Sequence, residues 1–187
     1  MGYEIAGGLG VKMAAPGREV YVMVGDGSYL MMGAEIITSV QEGRKLTIVL
    51  VDNSGFSSIG ALSRSVGTKG FGTQYRYREN GSIGLDTEES PGDVLPVDLA
   101  ANAESLGAHV IRVKGVGELK GALAEAKGVD RTAVIHIPVD RYEGVPDYES
   151  FWDVPVAEVS GMETVRAAHE EYAQGRQSER RYLRVGD

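Results

Sequence analysis

The sequence predicts an α/β protein built on a doubly wound, mostly parallel sheet with helices on both faces. Two observations carry that expectation. The apolar runs Val20–Val24 and Leu46–Asp52 each stop abruptly at glycine or polar residues, as buried parallel strands do. Segments with helical spacing alternate with strand-like runs along the chain, which is the order a parallel sheet needs for its crossovers.

Residues 2 to 15, rich in Ala and Gly, read as a helix that ends at the Pro16-Gly17 turn before the first strand. Leu30, Ala34, Ile37 and Val40 recur at helical spacing and predict a helix over Leu30–Glu42, stopped by Gly43. Strand Leu46–Asp52 follows. Between Ser54 and about Pro96 the chain has eight glycines and little periodicity, so it reads as a long connector of the kind that is usually functional. Helix Val97–Leu106, strand His109–Val113, helix Glu118–Lys127 and strand Thr132–Pro138 complete a four-stranded pattern. Beyond Asp140, Tyr142, Tyr148, Phe151 and Trp152 are expected to pack a tail onto the body. Ser160-Gly161-Met162-Glu163 then spells a capping box that opens a charged, solvated helix over Glu163–Arg184. The predicted organisation is a binding domain over 1–140 followed by a C-terminal segment over 141–187.

With 187 residues and 42% apolar content, one core can be built. The formal net charge is −8 and Lys and Arg are scattered, so nucleic acid is a poor candidate partner. There is no cysteine, which removes disulfides and thiolate metal sites and fits a reducing compartment. No apolar run approaches the roughly 20 residues a membrane helix needs, and no basic-then-apolar leader opens the chain. A cytoplasmic protein without nucleic-acid or membrane contacts is expected.

The chemistry concentrates at two strand ends. Gly25-Asp26-Gly27-Ser28 directly follows the first strand, and Asn53 follows the second, 27 positions after Asp26. Asp26 offers a carboxylate, Asn53 an amide oxygen, and Gly55 a backbone carbonyl free to turn inward. An oxygen-only set of this kind suits magnesium, which completes its octahedron with water and the phosphates of a bound ligand. Gly25 and Gly27 let the backbone turn and approach phosphates with no Cβ in the way. Gly-Asp-Gly alone is a common turn after a strand; the spaced Asn-x-Gly is what makes it a candidate diphosphate site.

Gly-Asp-Gly, this spacer and Asn together resemble the signature of thiamine-diphosphate enzymes. The resemblance implies that Asp26, Asn53 and the Gly55 carbonyl hold Mg2+, and that Gly27 and Ser28 present amides to the cofactor's diphosphate at a helix N-terminus. Met1-Gly2-Tyr3 and Ala6-Gly7-Gly8-Leu9-Gly10 are similar to the opening of the corresponding helix in the acetolactate-synthase type. That match places the apolar wedge that bends the cofactor on Met1. It also implies a longer enzyme in which a strand precedes this helix, so the fold is expected to lack its first strand here and to leave a sheet edge less covered.

Residues 56–67, Gly70-Phe71-Gly72-Thr73, Tyr75-Arg76-Tyr77-Arg78 and 144–160 resemble the inositol-catabolic ring-opening hydrolases of the same family. The implied substrate is a cyclic polyhydroxy diketone, opened by C–C cleavage with water. In this family the activating glutamate sits on a pyrimidine-binding domain, of the same or another chain and across a subunit interface. No position here matches its motif, so a homo-oligomer is expected and the isolated chain is expected to be inactive. The alternatives are an acetolactate-synthase-like lyase or transferase domain, and a non-catalytic cofactor-binding subunit that needs a separate pyrimidine-binding partner.

Other patterns carry less. Gly115-Val116-Gly117 lacks a third glycine in the dinucleotide register, since Gly121 falls one position late. His109, His136 and His169 have no metal-like spacing and read as structural or solvent-exposed. The serines of 54–65 lack a nucleophile elbow. Arg64, Arg76 and Arg78 are candidates for an oxygen-rich substrate or for plain solvated charge.

Overall fold

Runs of Val, Ile and Leu too apolar to remain in water build a parallel sheet in the computed structural model, which describes residues 1–78, 93–145 and 152–179. The strands are β1 (Tyr21–Gly25), β2 (Thr47–Asp52), β3 (His109–Arg112) and β4 (Ala133–Pro138). Their order is β1-β2-β4-β3 and every pairing is parallel. Gly25 lies opposite Val51, and Leu50 opposite His136, so the carboxyl ends of β1, β2 and β4 reach one edge of the sheet together.

The chain divides into two compact units. The first, Met1–Ser57 with Val94–Arg141, contains the sheet. One face is covered by α1 (Tyr3–Ala14), α2 (Asp26–Met32), α3 (Glu35–Gln41) and α5 (Leu99–Ser105), which bury Ile5, Leu9, Tyr29, Ile36 and Leu99 against Val22, Ile48 and Val134. The other face is covered by α6 (Val116–Gly128), whose Ala122 and Ala126 pack on Val49, Ile135 and Ile137. On β1 itself that second face is open, and Tyr21 and Met23 are exposed. Tyr29 spans the first layer, donating its hydroxyl proton to Asn102 Oδ1 of α5 at 2.8 Å.

Four sequence expectations change. The helix expected over Leu30–Glu42 starts earlier, at Asp26, and is split at Gly33-Ala34, where Ile36 and Ile37 bond three residues back. The 54–96 connector contains a helix, α4 (Ser57–Ser65), whose short apolar stripe is hidden among serines; residues 79–92 lie outside the described residues. The capping box does not form. The last helix, α7 (Glu163–Ser178), starts after Met162, and Ser160 Oγ instead accepts the Met162 amide proton at 3.1 Å. Trp152 is 76% exposed rather than packed, while Tyr148 and Phe151 lie outside the described residues, as does the end of the expected last helix from 180 on.

The second unit combines Ser58–Asp93 with Tyr142–Asp187. Gly67, after α4, has φ +85, and a Cβ there would lie 2.4 Å from the Thr164 carbonyl oxygen, so only glycine fits. Thr164 Oγ1 donates to the Gly67 carbonyl at 2.6 Å, joining the connector to the start of α7, where Val165 is buried. The Arg64 guanidinium lies 5.5 Å from the Tyr142 ring centre, a cation–π contact, so these two residues meet each other. Asp153 accepts from Tyr172 and Arg176 of α7. Among the described residues no helix is long and apolar enough to cross a membrane.

The glycines of α1 are not equivalent. A Cβ on Gly8 would stand 2.4 Å from Val22 Cγ2 on β1, a stiff and buried neighbour, while one on Gly10 would meet nothing within 4 Å. Both variants Gly8→Ala and Gly10→Ala gain the same helix propensity. Urea unfolding is therefore expected to find Gly10→Ala the more stable by about 1–3 kcal/mol, the usual cost of overpacking; equal stabilities would refute the close approach of α1 to β1.

Candidate functional site

The end of β1 delivers Asp26 as the first residue of α2, and the end of β2 delivers the turn 53–55 beside it. Open parallel sheets bind ligands at this carboxyl edge. Asp26 is 1% exposed. Its Oδ1 accepts the Gly27 amide proton at 3.0 Å and its Oδ2 the Gly55 amide proton at 2.7 Å, so one carboxylate ties the two strand ends together.

The turn itself is strained and held in place. Ser54 has φ +60, a left-handed backbone that costs a non-glycine residue about 1 kcal/mol or more. Its amide donates to Asp52 Oδ1 at 3.0 Å, and Arg141 Nη1 donates to the Asn53 carbonyl at 2.9 Å. The Asn53 side-chain oxygen, in contrast, is buried with no hydrogen-bond partner among the described residues. A buried amide oxygen left this way costs free energy unless something else binds it.

The charges point the same way. Burial pushes the Asp26 carboxyl up to about 6 from its ordinary 3.8, with the adjacent Asp52 charge adding and the Gly55 and Gly27 amides opposing. Burial also works against ionised Asp52, but hydrogen bonds from His136 and Ser54 outweigh it and hold that carboxyl below its usual range. Two contacting carboxylates in a dry site are stable together when a proton or a cation lies between them. A hard cation would neutralise Asp26 and give the Asn53 oxygen its missing partner, so the residues present fit magnesium.

The other expected residues fall out variously. Gly55 uses its amide on Asp26, and its carbonyl oxygen lies 3.3 Å from where a Gly27 Cβ would stand. Gly27 is needed for packing as well, since that Cβ would lie 2.5 Å from the Phe56 ring. Gly25 has an ordinary extended backbone with open space in front of it. Ser28 is buried, and the nearby Glu4 carboxylate is held below its usual range by its own backbone amide foremost, with the Ser28 side chain and the Gly2 amide adding to it. Met1 is exposed. Among the described residues no three His, Cys, Asp or Glu side chains are grouped so that they could by themselves hold a metal ion.

Sequence reasoning missed Asp52, Ser54, Arg141 and His136. His136 Nε2 donates to Asp52 Oδ2 at 2.8 Å, and these side chains are 15% and 17% exposed. The only local signal was Asp52 beside Asn53; the partner lies 84 positions away. His109 and His169 are placed as expected, on Glu125 Oε1 and near the Val156 carbonyl.

A carboxylate flanked by glycines, an unpartnered amide oxygen and a parallel α/β sheet together fit the class of domain that takes an anionic cofactor through a hard cation. Residues 1–137 match the family described as thiamine pyrophosphate enzyme, C-terminal TPP binding domain, and the chain belongs to that family, whose domains bind thiamine pyrophosphate (thiamine diphosphate) with Mg2+. It is 43% identical over 182 residues to 3D-(3,5/4)-trihydroxycyclohexane-1,2-dione hydrolase 2 of Bacillus cereus and 42% identical to the hydrolase of Bacillus anthracis. Both matches cover 97% of this chain, which spans 28% of the length of those relatives. The fold is similar to that of the thiamine diphosphate-dependent 4-hydroxybenzoylformate decarboxylase of Rhodococcus jostii RHA1 (TM-score 0.57, 20% identity, 75% of this chain and 23% of that one). It is also similar to benzoylformate decarboxylase from Polynucleobacter necessarius (TM-score 0.53, 24% identity, 74% and 23%).

Asp26 gives a pH signature without any ligand. The folded carboxyl keeps its proton to about pH 6 and the unfolded one only to about 3.8, so this group's contribution to stability is present below pH 4 and lost as pH rises through 6. The stability of the wild type relative to Asp26→Ala should fall by up to about 3 kcal/mol between pH 4 and 7, at 1.36 kcal/mol per pKa unit, in urea titrations at each pH. A flat difference would mean that Asp26 titrates at its ordinary value.

Proposed function

We propose that this chain is the diphosphate-holding domain of a thiamine-diphosphate-dependent hydrolase that opens the ring of a trihydroxycyclohexane-1,2-dione in myo-inositol catabolism. The site part of that reading is carried by one observation: Asp26 and the unpartnered Asn53 oxygen stand at adjacent strand ends. The substrate class is supported by the 43% identity that runs through 97% of the chain, including the connector and the tail.

When bound, the cofactor supplies a carbon nucleophile for cleaving a bond next to a carbonyl. The residues of this chain hold and orient. Asp26 and Asn53 bind Mg2+ with the Gly55 carbonyl as third protein ligand, and the amides of Gly27 and Ser28 face the diphosphate. Met1 serves as the apolar wedge against the cofactor. A cation held there would favour the ionised form of Asp26, which burial otherwise disfavours. The proton chemistry of the aminopyrimidine belongs to a glutamate on a pyrimidine-binding domain of the same or another chain, within a cytoplasmic homo-oligomer.

Calorimetry is expected to find thiamine diphosphate binding that requires Mg2+ and that drops more than about 100-fold in Asp26→Ala and Asn53→Ala, since even the outer partners of metal ligands are worth roughly 10–100-fold. Binding that survives both substitutions would remove Asp26 and Asn53 from the ligand set. The 187-residue chain alone is expected to show no ring opening above background when dione consumption is followed; measurable turnover would place the activating group within this chain.

A further inference from the structure

Asp52 ends β2, and on the same face of the sheet β4 carries His136, opposite Leu50 in the register. The two meet at 2.8 Å through His136 Nε2 and Asp52 Oδ2. The other oxygen, Oδ1, accepts from the Ser54 amide two residues on, the turn that an aspartate side chain makes with its own backbone. Ser54 is the described non-glycine residue with positive φ, and it lies between Asn53 and Gly55. A left-handed serine reverts to an extended or right-handed backbone unless its surroundings hold it. Reversal at Ser54 would swing the Asn53 amide and the Gly55 backbone away from Asp26.

We propose that Asp52, anchored by His136, is a positioning residue that locks Ser54 in its left-handed conformation and thereby sets the Asn53 and Gly55 ligands against Asp26. The inference rests on the reading above, in which those residues hold Mg2+ and the diphosphate. It assigns a role to β4, which contributes no ligand of its own: β4 carries the histidine that fixes the aspartate that fixes the turn. Asp52 acts through the backbone of its neighbours and not by touching the cofactor.

The test is a set of variants read by calorimetric binding of thiamine diphosphate at saturating Mg2+, with thermal unfolding as a check on folding. Asp52→Ala is expected to bind about 10–100-fold more weakly, the range for residues that orient metal ligands, and Asp52→Asn, which keeps an acceptor for Ser54, within about threefold of wild type. Adding Ser54→Gly to Asp52→Ala should recover most of the loss, because glycine adopts the left-handed backbone without help. Equal losses in Asp52→Asn and Asp52→Ala, or no recovery with Ser54→Gly, would overturn the proposal in favour of a charge acting directly at the cation. If Asp52→Ala does not fold, His136→Ala replaces it: a loss recovered by Ser54→Gly supports the role, and unchanged binding overturns it. Wild-type chain that binds and an Asp52→Ala that binds equally well defeat this inference alone; wild-type chain that binds nothing defeats the magnesium reading and this inference with it.

Discussion

Parallel pairing of β1 with β2, in the register that sets Gly25 opposite Val51, is the constraint on which the site depends. A one-residue slip of β1 would turn each of its side chains to the opposite face and would take Val22 and Val24 out of the core. The core therefore enforces a register that the site needs for another reason. With it, Asp26 reaches the Gly55 amide across 29 positions of sequence. The hydrophobic packing and the polar constellation are two consequences of one alignment.

The site works against the stability of the domain that holds it. Asp26 is buried beside a second carboxylate, Asn53 keeps an amide oxygen without a partner, and Ser54 occupies a strained backbone. Each costs free energy in a metal-free protein, and none improves the core. Costs of this kind gather at functional sites, where the ligand that relieves them is the one the site is built to hold. Hydrogen bonds from Gly27, Gly55, His136 and Arg141 keep the arrangement from relaxing. The result is a preorganised set of oxygens.

The second unit is held by different means. Its described residues bury few large apolar side chains, and its order comes from specific contacts: Gly67 beneath Thr164, Arg64 on Tyr142, and Asp153 between Tyr172 and Arg176. These are polar, partly or fully exposed and individually small contributions. The long connector is thus part of a compact unit with the C-terminal helix, which its glycine-rich composition did not suggest.

Much was legible in the sequence because it depended on local pattern. The four strands announce themselves as apolar runs, the helices as spaced apolar residues, and the Gly-Asp-Gly to Asn spacing as a pair of strand ends. What the sequence could not decide were the contacts set by distance along the chain. His136 looked like an isolated histidine because its partner lies 84 positions away, and the role of Asp52 follows from that pairing. The unmade capping box and the exposed Trp152 are the converse cases, where local pattern suggested a bond or a burial that tertiary geometry did not supply. Periodicity and turn chemistry are properties of neighbours in the chain, so the sequence alone determined the layered sheet and the candidate ligands. Register and packing are properties of neighbours in space, so only the tertiary structure decided that Asp26 is buried against Asp52, that Asn53 is left with an unpartnered oxygen, and that β4 braces the turn between them.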